Sequence, residues 1–227
     1  MYDFLDRTSL MLGEQALLSL QNAKVLVVGV GGVGGYTVEA LARSGVGSLT
    51  LIDGDTVAIS NINRQIVALH STLGRYKVDV MRERVLDINP LIKVNALNKY
   101  YAEDTDIDLS TYDYIVDAID SVKAKLLLIK KAKEVGVPII SCMGAGNKLS
   151  ATSFRVADIY STSSCPLAKA VRRGLKDIGI DSLKVVYSIE PPIKSGVSTP
   201  QSISYAPAIA GITLASEVIL DIARVDR

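Results

Sequence analysis

Cysteine and histidine are scarce in this chain, and their scarcity argues against several kinds of chemistry. The 227 residues include two cysteines, Cys142 and Cys165, and contain no Cys-x-x-Cys pair. This count argues against a disulfide scaffold and a four-cysteine zinc site, and it fits a protein of the reducing cytoplasm. His70 is the only histidine, so we do not expect zinc catalysis either.

The chain also lacks an excess of charge of either sign. It carries 25 Lys and Arg against 24 Asp and Glu, for a formal net charge of +1. This balance gives no overall field that would recruit nucleic acid or a membrane, although a local patch could still do so. Hydrophobic residues make up 48% of the chain, which excludes a disordered protein.

An uninterrupted membrane-spanning run and a recognisable signal peptide are both missing from the sequence. Its first residues show neither a basic start nor an apolar run. The most apolar stretch, residues 206–223, contains Glu217 and Asp221, and a carboxylate is costly in hydrocarbon. We therefore expect no membrane attachment, and we interpret this stretch as a helix packed in the core or at a subunit interface.

Alternating strand and helix patterns predict an α/β fold. Apolar runs predict strands at residues 24–29, 48–53, 92–97, 113–120, 138–143, 154–159 and 183–188. Helical patterns occupy residues 13–22, 33–44, 75–89, 121–136 and 167–178. Strand–helix–strand units with short connections are typical of parallel crossovers. We predict a Rossmann-like, doubly wound, mostly parallel sheet, extended by C-terminal strands and covered by a C-terminal packing helix. A single domain would comprise a nucleotide-binding core (1–146) and a C-terminal elaboration (147–227).

A glycine-rich loop follows the first predicted strand. It contains Gly29, Gly31, Gly32 and Gly34 and directly precedes a predicted helix. Glycines let backbone amides approach phosphate, and a helix N-terminus adds positive potential, so the loop predicts a nucleotide site. No Gly-Lys-Ser/Thr follows, so it is not a P-loop. Asp53 ends the next strand, where a carboxylate can accept hydrogen bonds from ribose hydroxyls.

The polar residues after Asp53 indicate more phosphate charge than a nicotinamide cofactor carries. Asn61, Arg64 and Gln65 form a polar loop, and Lys77 begins the next predicted helix. Arginine there can clamp a phosphate and stabilise the charge that develops in nucleotidyl transfer. We interpret the set as an ATP site. Solvated roles for the two cations, and a nicotinamide oxidoreductase, are the alternatives.

Two aspartates lie at the end of the fourth predicted strand. Asp120 begins a loop at the carboxyl edge of the sheet, where it could bind Mg²⁺ with waters completing the shell. Asp117 is either a second ligand or a residue that orders the loop.

The predicted helix at residues 167–178 is basic. Its cations could hold RNA phosphates or form an ordinary solvated face. They are Lys169, Arg172, Arg173 and Lys176. Cys165 lies just before this helix, where a helix start lowers a thiol pKa. It is therefore either a nucleophile or an incidental small residue.

These residues together resemble the E1-like adenylating enzymes of the ThiF/MoeB type, with the match running from Arg7 to about Gly146. The resemblance implies a catalytic role for Arg64, Lys77 and Asp120, with Mg²⁺ on Asp120. Arg7 resembles an arginine that crosses a dimer to reach the partner's phosphates, which implies a homodimer with shared sites. The ATP ligands that the resemblance implies in the same chain are Gly29, Gly31, Gly32, Gly34, Asp53, Asp55, Asn61, Arg64, Gln65 and Lys77.

The C-terminal part narrows this resemblance. Relatives that activate protein C-termini for sulfur chemistry usually carry two Cys-x-x-Cys pairs, which this chain lacks. The segments that begin at Cys165 and Glu190 are similar instead to the tRNA threonylcarbamoyladenosine dehydratase (cyclic-t6A synthase) branch. That branch implies ATP-dependent adenylation of N6-threonylcarbamoyladenosine at tRNA position 37, followed by closure to a cyclic oxazolone and loss of water.

The resemblance leaves several partners open. It implies that tRNA carrying the modified adenosine faces the basic helix, and it implies no zinc. A monovalent cation and a sulfur-transfer protein partner stay open. The alternative activity is adenylation of the C-terminus of a small ubiquitin-like or sulfur-carrier protein.

Overall fold

A seven-stranded sheet runs through the residues that this computed structural model describes, 3–194, 196 and 200–225. The strands are β1 (Lys24–Val28), β2 (Ser48–Ile52), β3 (Lys93–Leu97), β4 (Tyr114–Asp117), β5 (Ile139–Cys142), β6 (Phe154–Asp158) and β7 (Lys184–Ser188). Their order is β3-β2-β1-β4-β5-β7-β6. All neighbouring strands are parallel except β6 and β7, which are antiparallel. The predicted α/β fold, with a mostly parallel sheet extended by C-terminal strands, is confirmed.

Helices cover both faces of this sheet. They are α1 (Asp6–Leu12), α2 (Glu14–Asn22), α3 (Gly34–Arg43), α4 (Lys77–Ile88), α5 (Val122–Glu134), α6 (Pro166–Asp177) and α7 (Tyr205–Ala223). Apolar residues of α3, α4 and α7 form one core cluster, and those of α5 and α6 form the other. Because both faces are covered, the central strands are apolar along most of their length.

Helix α1 is the element that the sequence does not predict. Two of its large apolar residues, Leu10 and Met11, are 88% and 87% exposed, so no buried stripe signals a helix. The preceding Leu5 is fully buried, and a Cβ on Gly45 would lie 2.8 Å from its Cδ1 atom. Gly45 precedes β2, so this N-terminal segment lies at the amino edge of the sheet.

Helix α7 packs on α3 and on the sheet, as predicted. It has 19 residues, and an 18-residue window of it has a mean hydropathy of 1.6, so by length and composition alone it could cross a membrane. In the structure, a Cβ on Gly211 would lie 2.3 Å from the Val33 carbonyl oxygen, and the Thr37 hydroxyl donates to the Gly211 carbonyl at 3.0 Å. Glu217 is buried and pairs with Lys184 of β7 at 2.9 Å. These contacts confirm the packing helix.

The strand order reverses at β1, because β2 lies on one side of it and β4 on the other. Loops that leave these strands diverge, and such a switch point forms a ligand crevice at the carboxyl edge of an open sheet. The glycine loop follows β1, Asp53 follows β2, Asp120 follows β4, and Gly144 follows β5. The fold therefore brings the main predicted site residues to one edge.

Candidate active site

The glycine loop lies where the backbone leaves little room for side chains. Gly29 has a φ of 94°, and a Cβ there would lie 2.6 Å from the Ala118 carbonyl oxygen. A Cβ on Gly34, at the start of α3, would lie 1.8 Å from the Gly29 carbonyl oxygen. Glycine at both positions lets the loop pass tightly from β1 into α3, whose N-terminus faces the crevice.

Asp53 ties the glycine loop to the loop after β2. Its Oδ2 accepts from the Val30 N–H at 2.7 Å, and its Oδ1 accepts from the Asp55 N–H at 2.8 Å. The carboxylate is half-buried. Since each carboxylate oxygen accepts more than one hydrogen bond, Asp53 retains capacity for a ribose hydroxyl.

Lys77 and Tyr100 both bind Asp55. The Lys77 ammonium donates to Asp55 Oδ2 at 2.6 Å, and the Tyr100 hydroxyl donates to Oδ1 at 2.5 Å. Burial acts to raise the pKa of Asp55, but these two hydrogen bonds outweigh it and hold the pKa below its ordinary value. The Lys77 side chain is only 6% exposed, so it is a fixed cation at the crevice rather than a solvated helix residue.

Tyr100 is a site residue that sequence reasoning misses. Its hydrogen bond to Asp55 raises the pKa of its phenol, and the nearby negative charges of Asp53 and Asp120 raise it further. Its ring lies over Gly54, where a Cβ would come within 2.9 Å. No motif marks Tyr100, because its role depends on the loop after β3 folding back across the end of β2.

Arg64 lies across the glycine loop with part of its guanidinium available. Its Nη1 donates to the Ser60 carbonyl at 2.9 Å and to Asn63 Oδ1 at 2.8 Å. Its Cγ lies 3.5 Å from where a Cβ on Gly32 would be. The Nε and Nη2 donors have no hydrogen-bond partner within the described ranges, so they can bind phosphate oxygens.

The neighbours of Arg64 divide between the site and the loop itself. Gln65 is buried, and its Nε2 lies 3.8 Å from where a Cβ on Gly31 would be. Its Oε1 has no hydrogen-bond partner in the described part of the chain, so it can accept from a bound ligand. The Asn61 amide oxygen instead accepts from the Ala58 N–H at 3.1 Å and orders the loop.

Asp117 orders the loop after β4, and the structure therefore favours this role over that of a second magnesium ligand. It is fully buried, with Lys125 Nζ at 2.9 Å and the Ser141 hydroxyl at 2.5 Å from its Oδ2. Its Oδ1 accepts from the Ile119 N–H at 3.1 Å. Lys125 and Ser141 are further residues that the sequence does not reveal, because the β4–β5 register and the α5 contact bring them together.

Asp120 is exposed in this ordered loop, at the crevice. Among the described residues, no group of three or more His, Cys, Asp or Glu side chains could hold a metal ion by itself. Mg²⁺ usually binds one or two carboxylates and takes its other ligands from substrate phosphates and water. Asp120 beside a phosphate site fits that pattern.

Arg7 lies away from the other predicted residues of its own chain. It is exposed on α1, two positions after Leu5, which packs on Gly45 at the amino edge of the sheet. The glycine loop lies at the opposite, carboxyl edge. Arg7 can therefore serve an ATP site only in another copy of the chain, as the prediction requires.

The basic helix is α6, but its four cations differ in their surroundings. Lys169, Arg173 and Lys176 are exposed, and Lys176 Nζ lies 5.8 Å from the centre of the Tyr160 ring. Arg172 turns inward and donates to the Thr162 hydroxyl at 2.6 Å and carbonyl at 3.0 Å. This contact supports the loop before α6, and phosphate binding by Arg172 stays a prediction, because its Nε and Nη2 donors have no hydrogen-bond partner among the described residues.

Neither cysteine is placed as an exposed nucleophile. Cys142 is buried in β5, and burial raises the pKa of its thiol to about 12. Cys165 is 5% exposed, and its sulfur accepts from the Ala168 N–H at 3.5 Å at the start of α6.

A cavity of about 1180 Å³ lies at the amino edge of the sheet and is lined by residues that include Asp113, Pro138 and Asp221. None of the predicted site residues lines it. The candidate site is therefore the open polar crevice at the carboxyl edge rather than this cavity.

The chain is similar to known proteins along nearly its whole length. It matches the ThiF family over residues 5–225. The tRNA threonylcarbamoyladenosine dehydratase of Bacillus subtilis (strain 168) is 40% identical, over 95% of this chain and 93% of that protein. The protein of the same name from Haemophilus influenzae is 38% identical, over 88% of this chain and 82% of its own length.

A solved structure is also similar to this chain along nearly its whole length. Escherichia coli tRNA N6-threonylcarbamoyladenosine dehydratase, TcdA, has been solved in complex with AMP and in complex with ATP. It matches this fold with a TM-score of 0.89 and 33% identity, over 96% of this chain and 93% of that chain. Fold, crevice and sequence thus agree with the E1-like resemblance. The chain belongs to the ThiF family.

Proposed function

We propose that this chain is an ATP-dependent tRNA threonylcarbamoyladenosine dehydratase. The observation that carries the proposal is the 40% identity to the Bacillus subtilis dehydratase over 95% of this chain, which includes the C-terminal third as well as the nucleotide half. The substrate is tRNA with N6-threonylcarbamoyladenosine at position 37. The product is its cyclised, dehydrated form.

The reaction has two steps. The threonyl carboxylate attacks the α-phosphate of ATP, which forms an acyl-adenylate and releases pyrophosphate. The neighbouring carbamoyl group then attacks the acyl carbon, and AMP leaves with the carboxylate oxygen. One water is lost from the tRNA for each ATP converted to AMP and pyrophosphate. No enzyme thiol takes part, which agrees with the burial of Cys142 and Cys165.

The residues at the crevice take separate parts in this reaction. The glycine loop and the start of α3 bind phosphate through backbone N–H groups, and Asp53 accepts from the ribose. Arg64 and Lys77 neutralise the charge that develops on the phosphates in the transition state. Asp55 and Tyr100 position Lys77 through the hydrogen bonds described above.

A divalent cation fits beside these residues. When bound by Asp120, phosphate oxygens and water, Mg²⁺ would neutralise phosphate charge. The buried Asp117 holds the backbone of the loop that carries Asp120, through the Ile119 N–H at 3.1 Å.

The two parts of the chain divide this work. Residues 1–146 form the nucleotide half, and residues 147–227 form the half that faces the substrate, within one domain. The exposed cations of α6, namely Lys169, Arg173 and Lys176, contact tRNA phosphates. A homodimer brings Arg7 of each protomer to its partner's ATP.

The alternative, activation of a carrier-protein C-terminus with transfer to a cysteine, has less support. Transfer needs a thiol that a protein substrate can reach, and Cys165 is only 5% exposed. We expect the Cys165→Ala variant to retain full tRNA cyclisation. Loss of cyclisation in a folded Cys165→Ala protein would contradict a reaction in which no enzyme thiol takes part.

Mass spectrometry of the tRNA tests the proposal directly. The protein is incubated with threonylcarbamoylated tRNA, ATP and Mg²⁺, and the nucleosides are analysed after digestion. We expect the modified adenosine to lose one water only when ATP is present. An unchanged nucleoside mass with active ATP turnover on another acceptor would contradict the proposal.

A further inference from the structure

Lys148 is a buried cation that forms no ion pair within the described part of the chain. It is 4% exposed, and its ammonium donates to the backbone carbonyl of Glu190. The Glu190 carboxylate instead accepts from the Leu149 and Ser150 N–H groups. No carboxylate lies within ion-pair distance of Lys148 in the described part of the chain. A buried ammonium with three donors and one carbonyl acceptor is costly, so the surroundings favour an added anion.

Hydrogen bonds connect the loop that carries Lys148 to the residue that precedes Arg64. Asn147 has a φ of 56°, and its backbone N–H and side-chain oxygen both bind Gln201 at 2.7 Å. The next residue, Ser202, accepts from the Asn63 amide at 3.1 Å, and Asn63 binds the Arg64 guanidinium. A continuous set of hydrogen bonds thus joins the Lys148 loop to the phosphate-binding loop.

Lys148 also follows the strand that adjoins the Asp120 loop. Gly144 and Lys148 come after β5, the neighbour of β4 in the sheet. A Cβ on Gly144 would lie 3.4 Å from the sulfur of Cys165, which begins α6. The segment 144–148 therefore joins the start of α6, whose N-terminus adds positive potential, to the loop that contacts Asn63.

We propose that Lys148 binds the free carboxylate of the threonylcarbamoyl group and holds it beside the α-phosphate of ATP. This inference rests on the proposed function and names the group that recognises the reacting end of the substrate. Asp53 and the glycine loop place the nucleotide on the β1–β2 side of the crevice. The β5 side is then available to the threonylcarbamoyl group of the tRNA. The carboxylate supplies the anion that the buried ammonium lacks.

Burial gives this role a distinctive pH dependence. It lowers the pKa of Lys148, and the nearby Cys165 and Glu190 only partly oppose that effect. The charged form binds a carboxylate, so substrate affinity falls as the pH rises through this lowered pKa. An arginine at the same position stays charged and removes that dependence.

Steady-state kinetics with three variants test the proposal. We compare Lys148→Met, Lys148→Arg and the control Lys133→Met, which removes an exposed lysine of α5, with the unaltered protein. Loss of one charge-assisted hydrogen bond predicts that Lys148→Met raises the KM for threonylcarbamoylated tRNA by about tenfold or more. Lys148→Arg retains part of the affinity, and the high-pH rise in KM disappears. The affinities for ATP and unmodified tRNA do not change.

Other results would overturn the assignment. An equal loss of affinity for unmodified tRNA would show that Lys148 binds a backbone phosphate. An unchanged KM in Lys148→Met, or a pH profile of KM that Lys148→Arg does not alter, would show a merely structural role.

A different result would contradict the proposed function itself, namely that the unaltered protein does not cyclise the tRNA nucleoside. Calorimetry with free threonylcarbamoyladenosine and its methyl ester then still tests Lys148. The acid should bind more tightly than the ester, and Lys148→Met should abolish the difference. Equal binding of acid and ester would contradict the inference.

Discussion

At the scale of single residues, the candidate site depends on two cations that retain hydrogen-bond donors for a ligand. Arg64 uses Nη1 for its own loop and leaves Nε and Nη2 without partners among the described residues. Lys77 donates to Asp55 and keeps further protons for phosphate. In the proposed ATP site both side chains are thus positioned by the protein itself, which favours stabilisation of a transition state over binding of the ground state.

We predict that Arg64→Ala leaves the fold intact and lowers turnover by roughly a hundredfold or more, as expected for loss of one transition-state donor. Rate measurements at saturating ATP and tRNA test this prediction. Arg82→Ala, which removes an exposed arginine of α4, is the control and should turn over normally. A near-normal rate in Arg64→Ala would remove Arg64 from the chemistry.

The sequence predicts those residues whose neighbours in the chain explain them. Arg64 and Asp53 lie in recognisable positions after a glycine loop and a strand. Tyr100 and Lys125 do not, because their partners Asp55 and Asp117 are brought to them by loop folding and helix packing. The contact of Arg172 with Thr162 could not be predicted either, since residue type does not reveal that the side chain turns inward.

At the scale of elements, a buried ion pair between β4 and α5 supports the loop after β4. Asp117 and Lys125 are both fully buried at 2.9 Å, and Ser141 of β5 binds both. Removal of one partner of such a pair leaves an uncompensated buried charge. The position of Asp120 therefore depends on a contact between three elements.

Lys125→Met should lower the free energy of unfolding by about 3–5 kcal/mol, because Asp117 loses its buried counter-ion. Urea denaturation measures the change. The double variant Asp117→Asn with Lys125→Met should recover part of the loss, since no charge is then left unpaired. If Lys125→Met is as stable as the unaltered protein, the ion pair does not support this loop.

Element boundaries follow from the sequence where a buried stripe exists. The predicted helices at residues 33–44 and 167–178 correspond closely to α3 and α6. Helix α1 could not be predicted in this way, because Leu10 and Met11 are exposed on it. Local sequence patterns do not reveal the strand order either. Strand β7 lies between β5 and β6, so this strand, the last along the described chain, is not at the edge of the sheet.

At the scale of the whole molecule, the proposed function requires a dimer and a bound tRNA. Arg7 lies at the amino edge of the sheet, and the proposed ATP site lies at the carboxyl edge. Leu10 and Met11 are exposed on α1 and lie one turn after Arg7, on the same side of the helix, so a partner that reaches Arg7 would also cover them.

Mixing two inactive variants tests the shared site. We expect Arg7→Ala and Arg64→Ala to be impaired separately. About half of the dimers that form at random contain one copy of each variant, and such a dimer has one of its two sites with neither substitution. Co-expression should therefore restore about a quarter of the unaltered activity. Purification of the mixed dimer through two different tags provides the control. No recovery in that dimer would show that Arg7 does not act on its partner.

The salt dependence of tRNA binding tests the surface of α6. Lys169→Glu with Arg173→Glu should weaken binding and reduce the slope of log affinity against log salt by about two. Arg82→Glu with Lys93→Glu, which changes the same charge at exposed sites on α4 and β3, should leave the slope unchanged. An unaltered slope in the α6 variant would exclude this helix from the tRNA interface.

The stoichiometry of ATP conversion is the measurement that tests acyl-adenylate formation most directly. The unaltered protein is mixed with limiting threonylcarbamoylated tRNA, and the nucleotide products are counted against the water lost from the tRNA. The account predicts one AMP and one pyrophosphate for each cyclised nucleoside. Formation of ADP and phosphate, or cyclisation without AMP, would contradict it.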